Sequence, residues 1–119
     1  LLSSIREPNI YHLKFAFYNE DEILEDEWNN WLKKWWSRVN CKPDQEKMKQ
    51  TNPKYVLRNW MAQLAIDAAE KQDYSVAKEL YELLKSPYDE QTEYEEKWFQ
   101  KRPEWARNRI GCSMLSCSS

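Results

Sequence analysis

Apolar positions recur at helical spacing along most of this chain, and the longest such run lies between Asn52 and Gln72. Asn52 followed by Pro53 reads as a helix start, because asparagine accepts from a free N–H of the first turn and proline has none to lose. At about 100° per residue, Val56, Leu57, Trp60, Met61, Leu64 and Ala68 share one face, and Tyr55, Ala62, Ala65, Ile66 and Ala69 continue round the other side. Only Asn59, Gln63, Asp67 and Glu70 form a polar strip. The spacing therefore predicts a central helix from Pro53 to Lys71, covered on two sides by other helices. Arg58 interrupts the small-residue side and, if covered, needs an anionic or carbonyl partner; an ion pair within the array is expected.

A second amphipathic helix is predicted from Asn19 or Glu20 to about Val39. Leu24, Trp28, Trp31, Leu32, Trp35, Trp36 and Val39 fall within less than half of the wheel. Acidic residues crowd its first half and Lys33, Lys34 and Arg38 its last, a gradient that complements the helix dipole. Four tryptophans on one helix admit two readings, a ligand-stacking platform or core packing, and core packing is the expectation at this spacing. Ahead of it, residues 1–10 read as the end of a helix that breaks before Pro8. Tyr11, Leu13, Phe15 and Phe17 alternate as a strand would, yet no partner strand is evident, so 11–18 is expected to be extended or loosely helical.

Asn40 to Gln50, with Pro43, reads as a turn into a short helix over Asp44–Lys49. After the central helix, Asp73 is a cap for a helix over Tyr74–Lys85, and so short a connection implies an antiparallel hairpin. Val76, Ala77, Leu80, Tyr81, Leu83 and Leu84 mark its apolar face. Ser86-Pro87 ends it, Thr92–Gln100 forms a short acidic helix with Trp98 and Phe99, and Pro103, Trp105 and Ala106 begin a last turn. The domain reading is one helical module over 1–110 and a flexible cysteine-containing tail over 111–119. A single glycine in 119 residues argues against tight hairpins and against a glycine-rich phosphate cradle, so the fold class is all-α, a small helical array.

The run NPKYVLRNWMAQLAIDAAEKQDYSVAKELYELLKSPYDEQ, with the terminal SCSS, resembles the carboxyl-terminal region of the selenoprotein O family, also known as the YdiU family. The match is densest over Asn52–Glu90 and resumes at Pro103, Trp105 and the last four residues. The resemblance implies a kinase-like parent that adenylylates protein Ser, Thr or Tyr, with ATP and Mg held in a catalytic domain ahead of Leu1. It makes that missing domain and the parent's protein substrates the partners, and Asn52, Pro53, Arg58 and Asn59 structural motif positions. It also places Cys117 where the family carries cysteine, or selenocysteine in some animal members, and so implies a redox-regulatory tail.

Charge and chemistry narrow the picture further. Eighteen basic and twenty acidic residues leave a net charge of −2, with no electrostatic case for nucleic acid or an anionic membrane. No window approaches the ~20 apolar residues of a membrane span. The chain begins at Leu1 without methionine, as a piece of something longer would, and such a piece is expected to expose an apolar patch that includes Leu1–Ile5. Cys41, Cys112 and Cys117 fit no zinc spacing and point to a reducing compartment, the resemblance implying cytoplasm in a bacterium or mitochondrion in a eukaryote. Cys112, near Arg107 and Arg109, is a candidate resolving partner for Cys117, and Cys41 reads as structural and half-buried. His12 is the sole histidine, with no acid or cysteine at ligand spacing, which leaves no nucleophile and base set. No kinase-type signature is present, so no catalytic residue, metal or cofactor is assigned to the chain itself. The alternative is a stand-alone helical protein-interaction module with an aromatic surface.

Overall fold

The computed structural model describes residue 2 and residues 5–112, and every regular element among them is helical. The chain folds as two compact units, residues 1–52 and 53–119, each with its own apolar cluster.

In the first unit, residues Ile10–Ala16 form a 3-10 helix. A turn of three residues places Ile10 and Leu13 inward and leaves Tyr11 and Phe15 exposed, so the alternation seen in the sequence is only part of a threefold pattern. Asn9 caps it by accepting from the Tyr11 N–H at 2.9 Å. Asn29 Oδ1 accepts from the Ile10 N–H at 2.8 Å and ties it to the tryptophan helix, α1 (Glu25–Arg38). The expected start of α1 at Asn19 or Glu20 is corrected. Asn19 Oδ1 instead accepts from the Asp21 N–H and closes a separate 3-10 turn, Glu20–Glu22, after which Ile23 is extended and Leu24 leads into α1.

The wheel of α1 is also only half borne out. Leu32 is fully buried and Trp28, Trp35 and Trp36 are half-buried, but Leu24 and Trp31 are exposed. The helix ends in consecutive left-handed residues, Asn40 and Cys41, with the Cys41 N–H donating to Trp36 O at 2.8 Å. That turn leaves Cys41 exposed, not half-buried as expected.

Asp44 caps α2 (Gln45–Thr51) by accepting from the Lys47 N–H at 3.0 Å. Gln45 donates to Ile5 O at 3.2 Å and accepts from the Arg6 guanidinium, pinning the leading segment. Ile5 is fully buried as a result, which corrects the expected exposed patch at 1–5 for that residue. Asn52 closes α2: its backbone N–H and its Nδ2 both donate to Met48 O, at 2.9 and 2.8 Å. The predicted helix start at Asn52-Pro53 is therefore wrong.

In the second unit, 53–58 is not helical and α3 spans Asn59–Ala69. Two fixed points delay it. The Lys54 and Tyr55 N–H groups both donate to Pro87 O, and the Arg58 N–H donates to Met61 Sδ at 3.4 Å. Trp60 and Met61 are buried, whereas Val56, Leu57 and Ile66 are exposed, so α3 is not the doubly covered helix expected. The hairpin is as expected: Asp73 Oδ1 accepts from the Ser75 N–H at 2.9 Å and α4 (Ser75–Lys85) packs on α3. Gln72 takes a positive φ to make the turn. Leu80 and Leu83 are buried, while Tyr81 and Ala77, assigned to the same face, are exposed. A 3-10 turn, Thr92–Tyr94, leads into the single turn α5 (Glu95–Trp98). Trp98 stacks on Trp60 with centroids 5.8 Å apart, a contact worth ~0.5–1.5 kcal/mol beyond its buried area.

Leu83 is fully enclosed between α4 and its neighbours, so Leu83→Ala is expected to cost about 2–5 kcal/mol in urea unfolding followed by circular dichroism. Leu24→Ala, on an exposed position, is expected to change stability by less than about 0.5 kcal/mol.

Candidate functional site

The cysteines carry the chemistry nominated from sequence. Cys117 lies outside the described residues. Cys112 is buried in the cluster of the second unit with Trp60, Met61, Leu83 and Ala106. The segment leading to it is clamped to α3. Arg109 donates twice to the Asp67 carboxylate, at 2.7 Å each, and its guanidinium lies over Trp105 at 5.7 Å. Hydrogen bonds from Gln63 and then Arg109 hold the Asp67 carboxyl below its ordinary range. Gly111, φ +86°, makes the last turn, and a Cβ there would stand 3.0 Å from Gln63 Oε1, so this one glycine serves close approach.

The motif residues separate into different roles. Asn52 ends α2, Pro53 starts the extended lead to α3, and Arg58 is exposed with no ion pair among the described residues, against the expected one. Asn59 is the first residue of α3. What holds the motif together is Lys54, which sequence reasoning passed over, and Tyr55, which it placed only on an apolar helix face. Lys54 Nζ donates to the Glu90 carbonyl at 2.6 Å, to the Glu90 carboxylate at 2.8 Å and to the Glu95 carboxylate, and lies over the rings of Tyr55 and Phe99. Burial works against its charge, but the two carboxylates outweigh it and raise the Lys54 pKa. Tyr55 OH donates to the carbonyls of Glu90 or Gln91, at 3.1 and 2.8 Å, and burial raises its pKa. Gln91, left-handed at φ 40°, donates back to Leu83 O and Ser86 O. The signal available in the sequence was that KY and DEQ sit at the two ends of the densest stretch.

A third place is a cleft of about 400 Å³ lined by Glu22, Leu24, Glu27, Trp28 and Trp31. It lies wholly in the first unit. Among the described residues, no three His, Cys, Asp or Glu side chains group as a metal site, and no helix is long and apolar enough to cross a membrane.

The described residues are all helical in their regular elements, and the second unit is built around a latched helix hairpin. The chain is 52% identical to the protein nucleotidyltransferase YdiU of Flavobacterium johnsoniae, over 99% of this chain and 25% of that protein. It is 47% identical to the protein of that name from Rhodopirellula baltica, over 91% of this chain and 22% of the relative, and 52% identical to that from Nitrosospira multiformis, over 75% and 16%. The chain spans about a quarter of the length of the first of these curated relatives. It belongs to the YdiU family, in its carboxyl-terminal region. No family model and no solved structure matches it.

Two outcomes follow from the burial and the clamps. Cys41 is expected to alkylate first, and Cys112 about a hundredfold slower, the equivalent of ~2.7 kcal/mol of local opening, with Asp67→Asn speeding Cys112; peptide mass mapping after timed iodoacetamide reads both. Glu79 would rise on burial, but hydrogen bonds from Lys97 and Trp98 outweigh this and lower its pKa, as Gln63 and Arg109 do for Asp67. Carboxyls depressed by folding contribute fully above their unfolded value of about 4, and that contribution is lost as pH falls through the lower folded value. The urea midpoint is thus expected to be flat from pH 7 to 5 and to fall below about pH 4, less steeply in Asp67→Asn.

Proposed function

We infer that the chain is a non-catalytic helical module of a YdiU-type protein adenylyltransferase, whose remaining part binds ATP and Mg and transfers AMP to Ser, Thr or Tyr hydroxyls of other proteins. The observation that carries this reading is the identity of 52% over almost all of this chain and only a quarter of the relative. The sole glycine serves a tight turn in the second unit, and the α1 cleft is rimmed by carboxylates that repel phosphate, so neither suits a nucleotide. The partners of the module are then the nucleotide-binding part of the parent and, through it, the parent's substrates.

The tail adds a regulatory element to the reading. A thiol at Cys117 and a second cysteine of the parent form a disulfide by giving two electrons and two protons to a hydroperoxide, which becomes water and an alcohol. If Cys112 is that second cysteine, the turn that buries it must open first.

The test is made on the full parent protein. Radiolabel transfer from ATP is expected with the parent and not with residues 1–119 alone, and calorimetry of the isolated chain with a non-hydrolysable ATP analogue is expected to show no heat of binding. Transfer by the isolated chain would sink the reading. Disulfide mapping under peroxide decides the tail: a free Cys117 in protein whose activity has changed removes its role.

A further inference from the structure

The first unit buries only part of the apolar stripe of α1 and its cap residue Leu24. Leu32 is at 0% exposure, whereas Leu24 is at 62% and Trp31 at 47%. The cleft between them is built rather than incidental. Its floor, Trp28, is wedged edge-on by Phe17 at 5.4 Å and meets Trp31 edge-on at 6.0 Å. On the rim, Asn19 Nδ2 steadies Glu22 at 2.9 Å, while Glu27 has no hydrogen bond or ion pair among the described residues, nor do the carboxylates of nearby Asp21 and Asp26.

The helix dipole accounts for acids in the first turn of α1. It does not account for a leucine and an indole left exposed among them. Indole faces beside unpaired carboxylates suit one chemistry above others. A guanidinium stacks on an indole, is attracted by its quadrupole and forks onto a carboxylate. Anions are excluded by the same rim.

We propose that this cleft docks an arginine-bearing segment of the rest of the parent polypeptide, the guanidinium lying on the indoles between Glu22 and Glu27. The proposal rests on the reading of the chain as one part of a longer protein. Relatives of which this chain covers 25% leave ample chain to supply the segment.

Intact mass of the native gene product separates the two ideas at the start. A product of 119 residues removes the reading beneath the proposal and the proposal with it, whereas a longer product lets the docking stand or fall by itself. In that full-length protein, Trp31→p-benzoylphenylalanine is irradiated and the cross-linked peptides are sequenced. The expected product is an intramolecular link to an arginine-containing peptide outside residues 1–119. Its yield is expected to drop about tenfold, or ~1.4 kcal/mol, when Glu22→Lys and Glu27→Lys are combined in that background, and less with the two Gln substitutions. Hydroxyl-radical footprinting of the unmodified protein needs no variant, and Trp31 is expected to oxidise far more slowly than its exposure here implies, by comparison with Tyr11 at 73%. Links only within residues 1–119, to a second copy, to another protein or to a segment without arginine each overturn the proposal, as does full oxidation of Trp31.

Discussion

The carbonyl of Pro87 accepts from two successive backbone N–H groups, those of Lys54 and Tyr55, and from that point the second unit is closed into a ring. Chain that enters α3 and chain that leaves α4 are held side by side, so the hairpin cannot splay without breaking both bonds. The side chains of the same two residues then fix the loop beyond Pro87. Lys54 gathers Glu90 and Glu95, and Tyr55 reaches the carbonyls of Glu90 and Gln91. With that loop fixed, α5 is aimed so that Trp98 stacks on Trp60, and its indole N–H donates to Glu79 at 2.6 Å. A cation with two carboxylates and two ring faces is well compensated for partial loss of water, which is why a lysine is tolerable at this half-buried position.

The class of fold was legible in the sequence because wheel periodicity and a near absence of glycine are local properties. The α3 and α4 hairpin and the Asp73 cap followed from it. Helix starts were less legible, and the failures share a cause. Asn52-Pro53 has the chemistry of a start, yet the same side chain serves equally well to finish the preceding helix, and the Met48 carbonyl takes it. Which of two adjacent helices claims an asparagine is settled by the partner of the next residues, here Pro87, thirty-odd positions away in sequence. Likewise, acids from Glu20 to Glu27 favour a helix N-terminus anywhere along the run, and Asn19 and Asn29 decide where the turns fall. Tyr11 to Phe17, expected as extended or loosely helical, proves to be 3-10 helix, and its ambiguity has a different source. A 3-10 period of three coincides with a strand period of two often enough over seven residues that only burial of Ile10 and Leu13 separates them.

For the candidate sites, the sequence located residues but not their surroundings. The wheel of α1 gave a single apolar stripe, whereas the fold divides it into a buried seam at Leu32 and a wet cleft at Leu24 and Trp31. Nothing in the helix itself encodes that division. It depends on where the 3-10 helix of Ile10–Ala16 lies, and that is set by Asn29 and by the Lys14 pair with Glu25.

Cys112 illustrates how burial changes the meaning of a nominated thiol. Two nearby arginines argue for an activated thiolate in sequence, but one of them, Arg109, is committed to Asp67 and lies against Trp105. The same ion pair holds the turn that places the sulfur in the apolar cluster. Cys112 is enclosed in the apolar cluster with Trp60 and Leu83, so a second thiol reaches it only when its turn opens. A disulfide through Cys112 would therefore require the Arg109–Asp67 pair to release first.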